Sequence, residues 1–312
     1  MKVKKMGYAV VCGSLNMDFV CRGPRIPKPG ETILGYSYRT FIGGKGGNQA
    51  VALSKLGMKT HMIGCVGNDV YGDEIIQALS SQNVDMTYVN KVDVSTGTAH
   101  IMVEDSGENN IVVIPSANSK VSIKMVEEAE NLIANASVLL AQLEISFETV
   151  TAFFRVGKKY DILNVLNPAP MPEGGVSDEL LSLVDLITPN ESEMKLLTGI
   201  EVSDMDSFKA AATLLHKKGV NQVICTVGST GSYYRSDKQC FIQKAYKVGA
   251  VDTTCAGDSY NGALITFLQE GKDIKVAMDF ASKVAAIVVT REGAQESIPT
   301  RSEVDAYELA RS

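Results

Sequence analysis

The sequence predicts an α/β protein built on a mostly parallel central sheet with helices on both faces. Three observations carry this. Short apolar runs alternate with runs of helical spacing along most of the chain. Glycine- and Asx-rich segments follow several of those apolar runs, where ligands bind in such folds. Two stretches, residues 19–41 and 98–114, break the alternation.

The elements follow in chain order. Residues 8–12 read as a first strand, 48–56 as a helix with Gly57 past its end, 61–66 as a strand and 72–81 as a helix. Further strands are expected at 138–143, 162–166, 183–188 and 222–227, with helical patterns between them, and 232–235 is strand-like. After Asp258, the residues Tyr260, Ala263, Leu264, Phe267 and Leu268 share one helix face, and Gly271 supplies a stop. Residues 98–114 read as a hairpin around Asp105-Ser106-Gly107, with Ala99, Ile101 and Val103 on one face and Thr98, His100, Met102 and Glu104 on the other. Residues 19–41 are punctuated by Pro and Gly, with a β-like run at 37–41. These two stretches form either a small second sheet or a pair of irregular loops. No internal repeat or linker divides residues 1–312, so one domain is expected.

Composition narrows the function. A chain of 312 residues with 45% hydrophobic content has ample material for a core. A formal charge of −6 carries no basic footprint for nucleic acid or an anionic membrane. Six cysteines without a C-x-x-C argue against structural zinc and fit a reducing, cytoplasmic setting. The N-terminal apolar run is soon broken by Asn16 and Asp18, so it reads as a strand rather than a signal peptide or membrane span. His61, His100 and His216 stand apart from any nucleophile or metal pattern.

Five motifs carry chemistry. Val251 to Leu264 places Asp258 at a helix start, where unpaired N–H groups and the helix dipole suit a phosphate; a plain helix cap is the alternative. Gly43-Gly44-Lys45-Gly46-Gly47-Asn48 lets backbone approach a ligand closely, or is a flexible connection; it lacks the Walker A order. Asn16 and Asp18, separated by Met17, make a hydroxyl-binding pair or an Asx turn. Asn190 and Glu193 have capping-box spacing, and that carboxylate also suits a hydrated Mg²⁺. Residues 226–231 form a tight turn after a strand.

In this order the motifs resemble the ribokinase family of sugar kinases, over nearly the whole chain. The stretches are G-S-L-N-M-D at residue 13, G-G-K-G-G-N-Q-A at 43, T-P-N-E-S-E at 188, T-V-G-S-T-G at 226, D-T-T-C-A-G-D-S-Y-N-G-A at 252 and T-R-E-G-A-Q-E-S at 290. The resemblance implies a three-layer fold with a small β lid made by inserts near 18–43 and 96–115, and a homodimer through lid strands. It implies transfer of the γ-phosphoryl of ATP to the 5-hydroxyl of D-ribose, with Asp258 as base and Ala256, Gly257 and Asp258 as anion hole.

The implied ribose positions are Asn16, Met17, Asp18, Gly44, Lys45, Gly46, Gly47, Asn48, Glu144 and Asp258. The implied ATP positions are Asn190, Thr226, Val227, Gly228, Ser229, Thr230, Gly231, Gly257, Asp258 and Ser282. Mg²⁺ is implied near Asn190 and Glu193. A monovalent cation, K⁺, is implied at Asp252, Thr254, Val288, Arg291, Gly293 and Ser297. One residue departs from the family: Cys255 stands where Gly or Ala is usual, and reads as a buried small hydrophobe. The rival readings are a kinase for deoxyribose, another sugar or a nucleoside, and a catalytically inactive sugar-binding regulator. Asn16 argues against deoxyribose, because an amide there suits a vicinal hydroxyl.

Overall fold

The structure, a computed structural model, describes residues 7–308. The basic start at residues 1–6 and the last residues of the expected 1–312 domain lie outside the described residues. The central sheet has nine strands: β1 (Ala9–Cys12), β4 (Thr60–Gly67), β5 (Val84–Val92), β8 (Val138–Ala141), β9 (Leu163–Leu166), β10 (Leu186–Ile187), β11 (Gln222–Thr226), β12 (Gly231–Arg235) and β13 (Cys240–Lys244). Their order is β13-β12-β11-β10-β9-β8-β1-β4-β5. The first seven in chain order run parallel; β12 and β13 close one edge as an antiparallel hairpin. Buried apolar residues form two clusters. One includes Val11, Leu140 and Val165, and the other Val10, Leu139 and Leu166. Neighbouring residues of one strand thus feed opposite layers, as a sheet covered by helices on both faces requires.

The two irregular stretches do form a second sheet. It comprises β2 (Asn16–Gly23), β3 (Ser37–Gly43), β6 (Gly97–Glu104) and β7 (Asn109–Ile114), in the order β3-β2-β6-β7. β6 and β7 make the expected hairpin. β2 was not legible as a strand from its own residues: Asn16 and Asp18 read as a hydroxyl-binding pair or an Asx turn, and residues 19–23 fell in the stretch left open between sheet and loops. β2 is the strand that joins the halves, pairing antiparallel with β3 and parallel with β6. The β2–β6 pairing spans about eighty residues of sequence, so no local pattern announces it.

Several boundaries differ from expectation, each for a physical reason. The glycine-rich segment is no flexible connection, because the helix runs Lys45–Lys55 and takes Gly46 and Gly47 into its first turn. A Cβ on Gly46 would stand 2.6 Å from the Ser14 nitrogen, so this turn packs directly on the backbone leaving β1. The strand expected at 183–188 is only β10, because residues 183–184 close the helical turns that follow Asp178–Ser182. Among the described residues, no helix is long and apolar enough to cross a membrane.

Candidate active site

A cavity of about 1590 Å³ lies between the small sheet and the carboxyl ends of the central strands. That volume exceeds a typical single-ligand pocket. Alternate residues of the small sheet form its roof: Asn16, Asp18 and Val20 of β2, Arg39 and Phe41 of β3, Ala99, Ile101 and Val103 of β6, Ile111 and Val113 of β7. The alternation read from residues 98–104 therefore assigns the faces correctly, and His100 stacks on Phe19 on the outer side.

Asp258 lines the cavity, and it is not the helix cap. The helix runs Ala256–Gln269 with Cys255 in the N-cap position, and Asp258 is its third residue. Its carboxylate turns to the neighbouring helix: Asn48 Nδ2 donates to Oδ2 at 3.0 Å, and Gln49 Nε2 donates to Oδ1 at 2.8 Å. The two helices approach closely at Gly262, where a Cβ would lie 2.5 Å from Ala52 Cβ. Gly257 has nothing within 4 Å of a would-be Cβ. Of the three expected anion-hole donors, the Ala256 N–H is taken by the Thr253 carbonyl at 3.3 Å, which leaves the Gly257 and Asp258 N–H groups, with no carbonyl four residues back within the helix.

Cys255 adopts φ 66°, the left-handed region, which costs a non-glycine residue roughly 1 kcal/mol. A glycine would adopt this conformation without that cost. The thiol is buried, and burial pushes it well above the ordinary thiol range, followed by the Asp258 charge. It is a small hydrophobe, not a reactive thiolate.

On the roof side, Asn118 fixes the Asn16 amide. Asn118 Nδ2 donates to Asn16 Oδ1 at 2.7 Å and to Leu15 O, while its own Oδ1 accepts from Leu15 N–H. Asn16 is left with its NH₂ as the group available to a ligand, and Asp18 is an acceptor two residues on. Glu144 accepts from the Ser14 hydroxyl and from the Lys45 N–H, the latter at 3.0 Å. Lys45 lies between Asp258, Glu144 and Glu193; burial opposes its charge, but these carboxylates hold its pKa above the ordinary value.

Asp18 is pushed up from 3.8 to about 7, first by burial, then by Glu144 and Asp258, with Lys45 opposing. The folded state thus holds a proton that the unfolded chain has already lost. Stability of the ligand-free protein is therefore expected to fall as pH rises from about 4 to about 7. Asp18→Asn should flatten that dependence and raise melting temperature at pH 8 relative to the parent. Parallel melting curves at pH 5 and pH 8 check this, and an unchanged difference would refute it.

The far end of the cavity is built around Asn190 and β11. Asn190 caps the Glu191–Thr198 helix in a full capping box with Glu193. It also bridges to Thr226, and Thr226 N–H donates to Pro189 O. Burial raises the Glu193 pKa, partly offset by the Asn190 N–H bond and by Lys45. Thr226, Gly228, Ser229, Gly231 and Ser282 line the wall here. Asp252 ties two loops together, accepting from Thr254 N–H at 2.9 Å and Gly293 N–H at 3.2 Å.

The structure thus gathers most expected residues on one cavity. Met17, Gly46, Gly47, Val227, Thr230, Val288, Arg291 and Ser297 are not on its wall. Met17 is fully buried in the core, and Gly46 and Gly47 pack on the chain after β1. Sequence reasoning missed Gln49, Asn118, Gln142, Asn167 and Asn261. Gln49 and Asn261 lay within quoted motifs but were given no role; Asn118, Gln142 and Asn167 are single amides on separate elements. From Gln49, donors run on through Asn167, Thr188 and Asn261 to the Gly257 carbonyl.

Residues 6–301 match the profile of the pfkB family carbohydrate kinases. A ribokinase of Haemophilus influenzae is 44% identical over 94% of this chain and 95% of its own length. A deoxyribokinase of Salmonella typhi is 36% identical over 97% and 98%. The Arabidopsis thaliana ribokinase solved with ribose and ATP superposes with a TM-score of 0.90 at 32% identity, covering 96% of this chain and 98% of that one.

Proposed function

Because the chain belongs to the pfkB family of carbohydrate kinases, we propose that its cavity holds a sugar under the small sheet and ATP along the Asn190 and β11 wall. The protein is an ATP-dependent kinase that phosphorylates D-ribose at its 5-hydroxyl, giving ribose 5-phosphate and ADP. The observation that carries this reading is the placement of Asp258. It lies between a hydroxyl-binding pair and an open helix start, with both oxygens held by amide donors.

Asn16 and Asp18 hold the sugar's vicinal hydroxyls, one donating and one accepting. Glu144, Lys45 and Asn48 complete the sugar subsite. Asp258 accepts a hydrogen bond from the 5-hydroxyl and takes its proton late, as the new P–O bond forms. A weak base suffices, because phosphoryl transfer depends chiefly on positioning and charge stabilisation. The Gly257 and Asp258 N–H groups stabilise charge growing on the phosphoryl oxygens, and Lys45 adds a cation. The small sheet acts as a lid that keeps out competing water.

Mg²⁺ enters with ATP and neutralises its phosphates when bound. Both Glu193 oxygens already accept from Asn190, at 2.8 and 3.1 Å. This carboxylate fits a hydrated ion held through water and phosphate, the usual Mg²⁺ mode. Among the described residues no group of three His, Cys, Asp or Glu is placed to hold a metal ion. The loops tied by Asp252 offer hard oxygens suited to K⁺. The six cysteines are free, in keeping with a cytoplasmic setting.

The deoxyribokinase relative makes the sugar panel the deciding assay. ADP release is expected with ribose, to require Mg²⁺, to rise with K⁺, and to be far weaker with 2-deoxyribose; a preference for the deoxy sugar would overturn the assignment. The lid's outer face exposes Tyr38, Val112 and Ile114, which supports a homodimer through lid strands. Sedimentation velocity should return a dimer at micromolar concentration, and a monomer would refute it.

A further inference from the structure

We propose that Gln49 is a positioning residue for Asp258, and that Gln142 dictates which way the Gln49 amide faces. This rests on the reading of Asp258 as the catalytic base. Gln49 is fully buried on the Lys45–Lys55 helix, and its Nε2 donates both to Asp258 Oδ1 at 2.8 Å and to Asn167 Oδ1 at 2.9 Å. Both partners are acceptors at that contact. An ionised carboxylate can only accept, and Asn167 spends its NH₂ on the Thr188 carbonyl at 3.0 Å. The Gln49 amide must therefore present NH₂ to them and turn its carbonyl away.

That carbonyl meets Gln142, whose Nε2 donates to Gln49 Oε1 at 2.6 Å. Gln142 sits just beyond β8, is fully buried, and leaves its own Oε1 without a partner. A buried unpaired acceptor is costly and calls for a reason. The reason is polarity: reversing Gln142 would set two carbonyls face to face and favour a reversed Gln49, with its oxygen against Asp258. The unpaired oxygen at Gln142 is thus the far end of a donor chain that keeps the Asp258 carboxylate aimed. Asn48 holds the other oxygen independently. The charged groups facing Asp258 are Lys45, Asp18, Glu193 and Cys255 when ionised; Glu144 stands beside Lys45 and Asp18.

The test is steady-state kinetics with ribose and ATP, with melting curves as a folding control. Gln49→Met should lower kcat roughly 10- to 100-fold, the weight of a hydrogen bond to a charged group, with little change in the KM for ribose. Gln142 touches no substrate, so its variants separate orientation from packing. Gln142→Met, which only deletes a donor, should cost at most about fivefold. Gln142→Glu should cost more than about tenfold at pH 8, because an acceptor there draws the Gln49 NH₂ away from Asp258. Relative to the parent enzyme, that deficit should shrink toward pH 6, as the introduced carboxyl gains a proton and can donate. Wild-type kcat in Gln49→Met, or Gln142→Glu behaving like Gln142→Met at every pH, would overturn the assignment. So would KM and melting temperature changing in step with kcat. A parent protein that fails to phosphorylate ribose removes the premise instead, and is read from the same plate.

Discussion

Asp258→Asn is expected to lower turnover at least ~100-fold while ribose binding is largely kept, a loss within the range of a general base. In transition-state terms this is about 2.7 kcal/mol or more. The substitution nearly preserves shape but removes the proton acceptor. It also sets an NH₂ group against one of two amide donors, since Asn48 and Gln49 each donate to a different carboxylate oxygen. One of those bonds must therefore be lost. Single-turnover kinetics beside ribose calorimetry separate the two effects. Unchanged turnover would remove Asp258 from the chemistry, and lost ribose binding would make it a binding residue instead.

Gly262→Leu should destabilise the protein by about 1–3 kcal/mol, the usual cost of overpacking a close contact. It should also lower kcat by more than about tenfold, the equivalent of 1.4 kcal/mol in the barrier. A Cβ at this position already meets Ala52 Cβ at 2.5 Å and the Leu53 nitrogen at 3.0 Å. The helices must part to admit a larger side chain. One of them carries Asn48 and Gln49 and the other Asp258, so the same displacement loosens the fold and misaims the base. Calorimetric melting and kcat should fall together, and Gly262→Ala should show a smaller version of both. A melting temperature and kcat equal to the parent's would refute this reading.

Much of the fold was legible because parallel sheets bury strands on both faces and write them as apolar runs. Val10, Val11 and Cys12, or Leu139 and Leu140, announce themselves in this way. The β6–β7 faces were legible because a strand alternates. Other elements were not. β2 begins at Asn16, and nothing local distinguishes it from a turn; it is a strand because β3 and β6 supply partners. Gly46 and Gly47 are poor helix formers by propensity; their turn is held by the Gly47 N–H bond to the Ser14 carbonyl at 2.9 Å, and a Cβ at Gly46 would meet the Ser14 nitrogen at 2.6 Å.

The site divides along the same line. Sequence by itself determined the inventory: a carboxylate at a helix start, a glycine-rich lysine segment, an Asn–Asp pair and a capping box, in an order that matches the pfkB carbohydrate kinases. Those residues were visible because each motif is local. Tertiary structure alone decided how they act together. It turned Asp258 from a helix cap into a buried acceptor, placed Cys255 in the left-handed region, and brought Asn118 to the Asn16 amide. It also assembled Gln142, Gln49 and Asn167 from a strand end, a helix and a second strand end. The physical reason is that a hydrogen bond is set by distance and direction in space. Residues separated by 93 and 118 positions, as in that chain of amides, leave no periodic trace in sequence.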